Sequence, residues 1–184
     1  NSKAQYILGV IYYENIFIPR DFKKAIHYFL LAANKNDSEA QYILGEIYYK
    51  GEFILQDINK SIHFYTLSAN QNYLLAQYNL ALIYYEGRFI PRDINKAIYY
   101  FTLAANQNDR SAQRYLGEIY FKGIYIPRDI NKALHFLTMG ANQNEPNSQY
   151  LLGTIYYEGK FISQDINKAI HYFTLSANQN DIRS

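Results

Sequence analysis

Apolar side chains return every three or four residues in the stretch 76–87, where Ala76, Leu80, Ile83 and Tyr84 share one arc with Gly87 on a wheel of about 100° per residue. That stripe predicts an amphipathic helix of about 12 residues. A short loop, Arg88-Phe89-Ile90-Pro91-Arg92, leads to a second periodic stretch with a broader apolar face of Ile94, Ala97, Ile98, Tyr100, Phe101, Ala104 and Ala105. Asn95, Tyr99, Thr102 and Asn106 lie opposite. Such a face is wide enough to cover both a partner helix and the next unit. Tyr and Ile favour strands in isolation, but the spacing and the stop signals decide for helices.

The two stretches recur as a pair. The hexapeptide Asp93-Ile94-Asn95-Lys96-Ala97-Ile98 returns with small changes from Asp21, Asp57, Asp129 and Asp165, at an interval of 36 residues each time. The units are 4–39, 40–75, 76–111, 112–147 and 148–183. Two short helices cannot bury both apolar faces alone, so neighbours must stack, and residues 1–184 read as one solenoid domain. The predicted fold is all-α: a right-handed α-solenoid of antiparallel helix pairs in five 36-residue repeats.

Helix ends are marked in every copy. Gly51, Gly87, Gly123 and Gly159, with Asn15 in the first copy, suit a left-handed stop to the first helix. Asp93 and its counterparts suit the N-cap of the second. Asn36, Asn72, Asn108, Asn144 and Asn180 are expected to close that helix, and Asp37, Asp109 and Asp181 to cap the next. Gly9, Gly45, Gly117 and Gly153, with Ala81 in the third copy, fall in mid-helix, where Gly costs about 1 kcal/mol against Ala. Close helix approach is the expected compensation.

Composition narrows the function classes. The chain is 49% hydrophobic with 21 Tyr and 11 Phe, far too apolar for disorder. Its 18 basic and 16 acidic residues leave a net charge of +2, so no strong field favours nucleic acid or a membrane surface. The lack of Cys removes disulfides and thiolate metal ligation and leans towards a reducing, cytoplasmic compartment. No apolar run approaches the ~20 residues of a membrane helix. The chain starts at Asn1 inside the repeat phase and stops at Ser184, where a sixth unit would begin; a fragment of a longer protein is expected.

Candidate chemistry is repetitive rather than singular. The four histidines, His27, His63, His135 and His171, share one position of the second helix. Equivalent helices lie ~8–10 Å apart, whereas a metal ion needs ligands at ~2 Å, so they form a ladder and not a metal site. The Asp93/Lys96 pair and its copies read as an N-cap with a surface ion pair. No thiol nucleophile or phosphate-binding glycine loop occurs, and neither catalysis, cofactor, metal nor small-molecule substrate is expected.

The pattern Ala76-x-x-x-Leu80-x-x-x-Tyr84-x-x-Gly87, then Asp93-x-x-Lys96-Ala97, then Tyr100 and Ala104-Ala105, resembles the Sel1-like repeat, a relative of the tetratricopeptide repeat. The resemblance covers nearly the whole chain. It departs from the family where Phe53, Phe89, Tyr125 and Phe161 replace a second loop glycine, and where Asn36 and its copies replace Gly. Tetratricopeptide units of 34 residues fit less well, since Pro19, Pro91 and Pro127 lie in mid-repeat.

Variation between copies carries the functional expectation. Invariant positions of the first helix fill one arc, and the variable ones fall opposite: Tyr6, Tyr42, Tyr78, Arg114 and Tyr150; Ile7, Ile43, Asn79, Tyr115 and Leu151; Val10, Glu46, Leu82, Glu118 and Thr154; Glu14, Lys50, Glu86, Lys122 and Glu158. The resemblance implies that first helices line the concave surface. A peptide or helix of a protein partner is then expected there, on Tyr6, Tyr42, Glu46, Tyr78, Leu82, Arg114, Tyr115, Glu118 and Tyr150, since Tyr and Arg are enriched at binding hot spots. The alternatives are an RNA-binding array, with Tyr stacking on bases and Arg20, Arg92 and Arg128 on phosphates, and a regulatory appendage of a larger enzyme such as a kinase. Near-neutral charge disfavours RNA.

Overall fold

The computed structural model describes residues 1–14 and 18–180. Among them are ten helices and no strand: α1 (Ser2–Glu14), α2 (Phe22–Ala33), α3 (Ser38–Lys50), α4 (Ile58–Ala69), α5 (Leu74–Glu86), α6 (Ile94–Asn106), α7 (Arg110–Lys122), α8 (Ile130–Asn142), α9 (Pro146–Glu158) and α10 (Ile166–Asn180). Each first helix begins two residues earlier than the apolar pattern alone marks. Packing falls into two compact units, Asn1–Asp93 and Ile94–Ser184.

The helix ends follow the expected chemistry. Asp21, Asp57, Asp129 and Asp165 each accept a hydrogen bond from the amide three residues on, at 3.0 Å. Asp37 and Asp109 do the same for Ala40 and Ala112. Glu145, unremarked in the sequence, caps α9 through the Ser148 amide. Gly51, Gly87, Gly123 and Gly159 take φ of 61–66°, and Asn36, Asn72, Asn108 and Asn144 lie at 56–65° in the turn just beyond the second helices. Asn180 is instead the last residue of α10. The expected caps Asn15 and Asp181 lie outside the described residues.

In the first unit α1 packs on α2, α2 on α3, α3 on α4 and α4 on α5, and the second unit repeats the scheme. The first helices α3 and α5 also touch, as do α7 and α9, which makes the first-helix layer the closer-packed one in each unit. Large side chains of the second helices fill the gap at the mid-helix glycines. A Cβ on Gly45 would stand 2.5 Å from the Tyr65 ring, and one on Gly9 2.6 Å from Phe29. The glycine is there because the ring occupies its side-chain space.

A buried glutamine ladder ties the repeats. Gln41, Gln77, Gln113 and Gln149 are at most 1% exposed. Each Nε2 donates to the carbonyl eight residues back, at 3.1–3.3 Å. The Oε1 atoms of Gln41, Gln113 and Gln149 accept from Gln71, Gln143 and Gln179 at 2.7–2.8 Å. Buried amides are tolerated only when paired in this way. In the first copy Lys35 stands in the donor's place, and Gln5 Oε1 is buried without a partner among the described residues.

The aromatic that replaces the second loop glycine has a packing role. Phe53 lies against Tyr13 and Phe22 of the preceding repeat, and Phe161 against Phe121. Arg92 and Arg128 donate through Nε to the carbonyls of Tyr85 and Phe121 at 2.6–2.7 Å, closing α5 and α7. These two guanidinium groups, candidates for phosphate contact in the RNA reading, are engaged with helix ends.

Candidate functional site

In the first unit, contact between α3 and α5 in front of α4 encloses a cavity of about 150 Å³. Glu46, Tyr49 and Lys50 line it from α3, Tyr65 from α4, and Asn79, Leu82, Ile83 and Glu86 from α5. Tyr65 is only 2% exposed, and its hydroxyl accepts from Asn79 Nδ2 at 3.3 Å. Lys50 sits 3.6 Å from Glu46 at the half-exposed rim. Glu86 is exposed and has no ion-pair partner among the described residues.

Aromatic rings and carboxylates are concentrated on this face. Tyr42 lies 5.7 Å from Tyr65 and 5.1 Å from Tyr73 between ring centres. Burial and then the Glu39 carboxylate push the Tyr6 phenol up to about 12. Burial followed by Glu46 raises Tyr42 and Tyr65, and burial followed by Glu86 raises Tyr49. The neighbouring charge that each phenol feels most is negative.

The second unit places a different cluster at equivalent positions. Arg114 holds Glu118 at 2.5 Å, lies 3.7 Å from Glu145, and sets its guanidinium 4.0 Å above the Tyr115 ring. Tyr115 in turn stacks on Phe101 at 4.8 Å. Lys122 reaches the other Glu118 oxygen at 2.9 Å. Burial by itself would lower the Arg114 pKa, but hydrogen bonds with Tyr115 and Glu118 outweigh it and keep the group charged.

Of the residues predicted from sequence variation, Tyr42, Glu46 and Leu82 therefore gather around the first-unit face, while Arg114, Tyr115 and Glu118 form the second-unit cluster. Tyr6 packs on Phe29, and Tyr78 is half-buried on α5. Tyr150 rests on Phe173 and is 56% exposed. The helical wheel set the variable positions opposite the packing stripe, but most are half-buried, because neighbouring first helices touch. Tyr49 and Tyr65 complete the cavity and escaped the sequence reading; Asn79 and Glu86 lay among the variable positions without being singled out. The signal was available: Tyr65 puts a hydroxyl where the other copies have Phe29, Phe101, Leu137 and Phe173, and Asn79 faces it.

The four histidines are exposed and each lies edge-on to the next aromatic residue. No group of potential metal ligands occurs among the described residues, and none of their helices is long and apolar enough to cross a membrane.

The sequence profile of the Sel1 repeat matches at residues 2–37, 38–73, 74–109, 110–145 and 146–181. A protective antigen of uropathogenic Escherichia coli displaying an SLR fold is similar at 30% identity and a TM-score of 0.89 over 97% of the present chain. The chain spans 38% of that antigen's length. A Sel1 repeat protein from Oxalobacter formigenes is similar at 26% identity and a TM-score of 0.82, with all of the present chain and 73% of the other covered. Comparison with curated proteins gives no match. Sel1 repeat proteins generally mediate protein–protein interaction and are typically non-catalytic scaffolds. Five in-phase copies, ten helices and these two structural likenesses make the chain an all-α solenoid of the Sel1 repeat family, to which it belongs.

Proposed function

We propose that the chain is a scaffold or adaptor module that holds a peptide or helix of a protein partner on the outward side of its first helices. The observation that carries this reading is the α3–α5 cavity, which opens among positions where the repeats differ while the buried frame around them is repeated. Glu46 and Leu82 border it directly, and Tyr42 flanks it. Small apolar pockets with a few fixed polar groups are where anchor side chains of a partner insert.

The test is selection of binders from a displayed random-peptide library, followed by methyl NMR mapping on the whole chain. Perturbation of Ile43 and Leu82 on first helices, with at least tenfold weaker binding by Leu82→Arg, is the expected result. Perturbation confined to Ile62, Leu134 and Ile170 on second helices would overturn the proposal.

A further inference from the structure

We propose that the α3–α5 cavity is a guanidinium site, receiving an arginine side chain of the bound peptide. This rests on the peptide-binding reading above and adds the chemistry of the anchor. Size sets the class of occupant first: at about 150 Å³ the cavity is roughly ten times the ~10–15 Å³ that one water needs, yet short of the ~300–1,000 Å³ of small-molecule sites. It fits one long side chain.

Charge sets the sign. Two carboxylates, Glu46 and Glu86, line the cavity against one lining cation, Lys50; the Arg88 charge is felt by Tyr49 from outside the lining, less than that of Glu86, and Glu86 has no ion-pair partner among the described residues. Tyr49 and Tyr65 supply aromatic surface, and the Tyr65 hydroxyl a further acceptor. A cation beside aromatic rings with carboxylates in reach gains both ring and charge-assisted hydrogen-bond stabilisation.

The chain itself contains the complex this predicts. Glu118 and Lys122 are the counterparts of Glu46 and Lys50 two repeats on, and there the glutamate holds its lysine and a guanidinium together, with that guanidinium laid on a tyrosine ring. The lysine at the rim is therefore no obstacle to a second cation. Planar stacking on an aromatic ring combined with directed carboxylate bonds is arginine chemistry rather than lysine chemistry. In the second unit Arg114 provides it from within; in the first, Tyr42 occupies that position, and no arginine is among the described residues that line the cavity.

Three probes decide the matter: the Nα-acetyl amides of arginine, of citrulline, which has the same shape without charge, and of lysine. Binding to the full chain is followed at the Leu82 and Ile83 methyls and the Asn79 side-chain amide. Arginine should perturb all three signals in the millimolar range, citrulline none, and lysine should bind more weakly. The surface double variant Glu46→Gln/Glu86→Gln should weaken arginine binding at least tenfold, and Tyr42→Arg should block it by supplying an internal guanidinium. Binding by citrulline as strong as by arginine, preference for lysine, or indifference to the double variant would overturn the assignment. Selected peptides that map to first helices but lack arginine would refute this inference alone; failure of any peptide to map there would refute the reading beneath it.

Discussion

Glu46 and Glu118 hold the same place in the repeat, and their surroundings separate the two units. Glu46 borders an open cavity with Tyr65, Asn79 and a second carboxylate, Glu86. Glu118 is 14% exposed and saturated by Arg114 and Lys122. At the positions of Tyr65 and Asn79 the second unit has Leu137 and Leu151, so the hydroxyl and the amide are gone together. One backbone plan thus yields a pocket with two carboxylates and one lysine in one unit and a self-neutralised aromatic cluster in the other. The difference lies in about four side chains, which is how a repeat array acquires a site without altering its frame.

Alkali should separate the units most strongly. Tyr6 is raised to about 12, and Tyr42 and Tyr65 are raised further, all with burial as the leading cause. A phenol whose folded pKa exceeds its ordinary 10.0 contributes stability that is fully present below pH 10 and is lost as the pH rises through the folded value. The buried knobs Phe101 and Leu137 of the second unit cannot ionise. Methyl NMR between pH 10 and 12 should therefore show Leu80 and Ile83 losing native shifts before Leu116 and Ile155. Simultaneous loss would mean that the tyrosine burial does not distinguish the units.

The carboxylates themselves provide the next contrast. Glu118→Gln leaves a guanidinium that is 18% exposed with Glu145 at 3.7 Å as its remaining carboxylate among the described residues, at an expected cost of about 2 kcal/mol in urea unfolding. Glu46→Gln releases a lysine that is 46% exposed, at an expected cost below about 1 kcal/mol. Equal costs would dissolve the distinction between a saturated and an open glutamate.

The frame was legible in the sequence because local chemistry dictates it. Asp57, Gly51 and Asn72 cap or stop helices by interactions within a few residues, and Ala76, Leu80 and Ile83 mark burial by spacing. The candidate site was only half legible, because it depends on what faces what across repeats. Variation pointed to Glu46 and Leu82, yet nothing local reveals that Tyr65 reaches Asn79 or that Arg114 meets its own glutamates. The burial of Gln41 is hidden for the same reason: it follows only from carbonyls and amides brought in from outside its own helix.

That ladder gives the smallest effect, and it again sets one unit against the other. In the second unit Gln113 and Gln149 each have both amide ends paired. In the first unit Gln5 Oε1 is buried without a partner among the described residues, since Lys35 replaces the glutamine found at positions 71, 107, 143 and 179. A lysine can donate, but its long flexible ammonium stem remains in water at this exposed turn, whereas a glutamine amide is short and planar and meets the acceptor in the geometry of the other copies. Lys35→Gln should therefore satisfy the orphan and stabilise α1 against α2 by about 1 kcal/mol. The gain should appear as slower amide exchange in α1, because end repeats of an array open independently of the rest. Unchanged exchange there would show that the stray oxygen is already solvated, and that the ladder is as complete in the first unit as in the second.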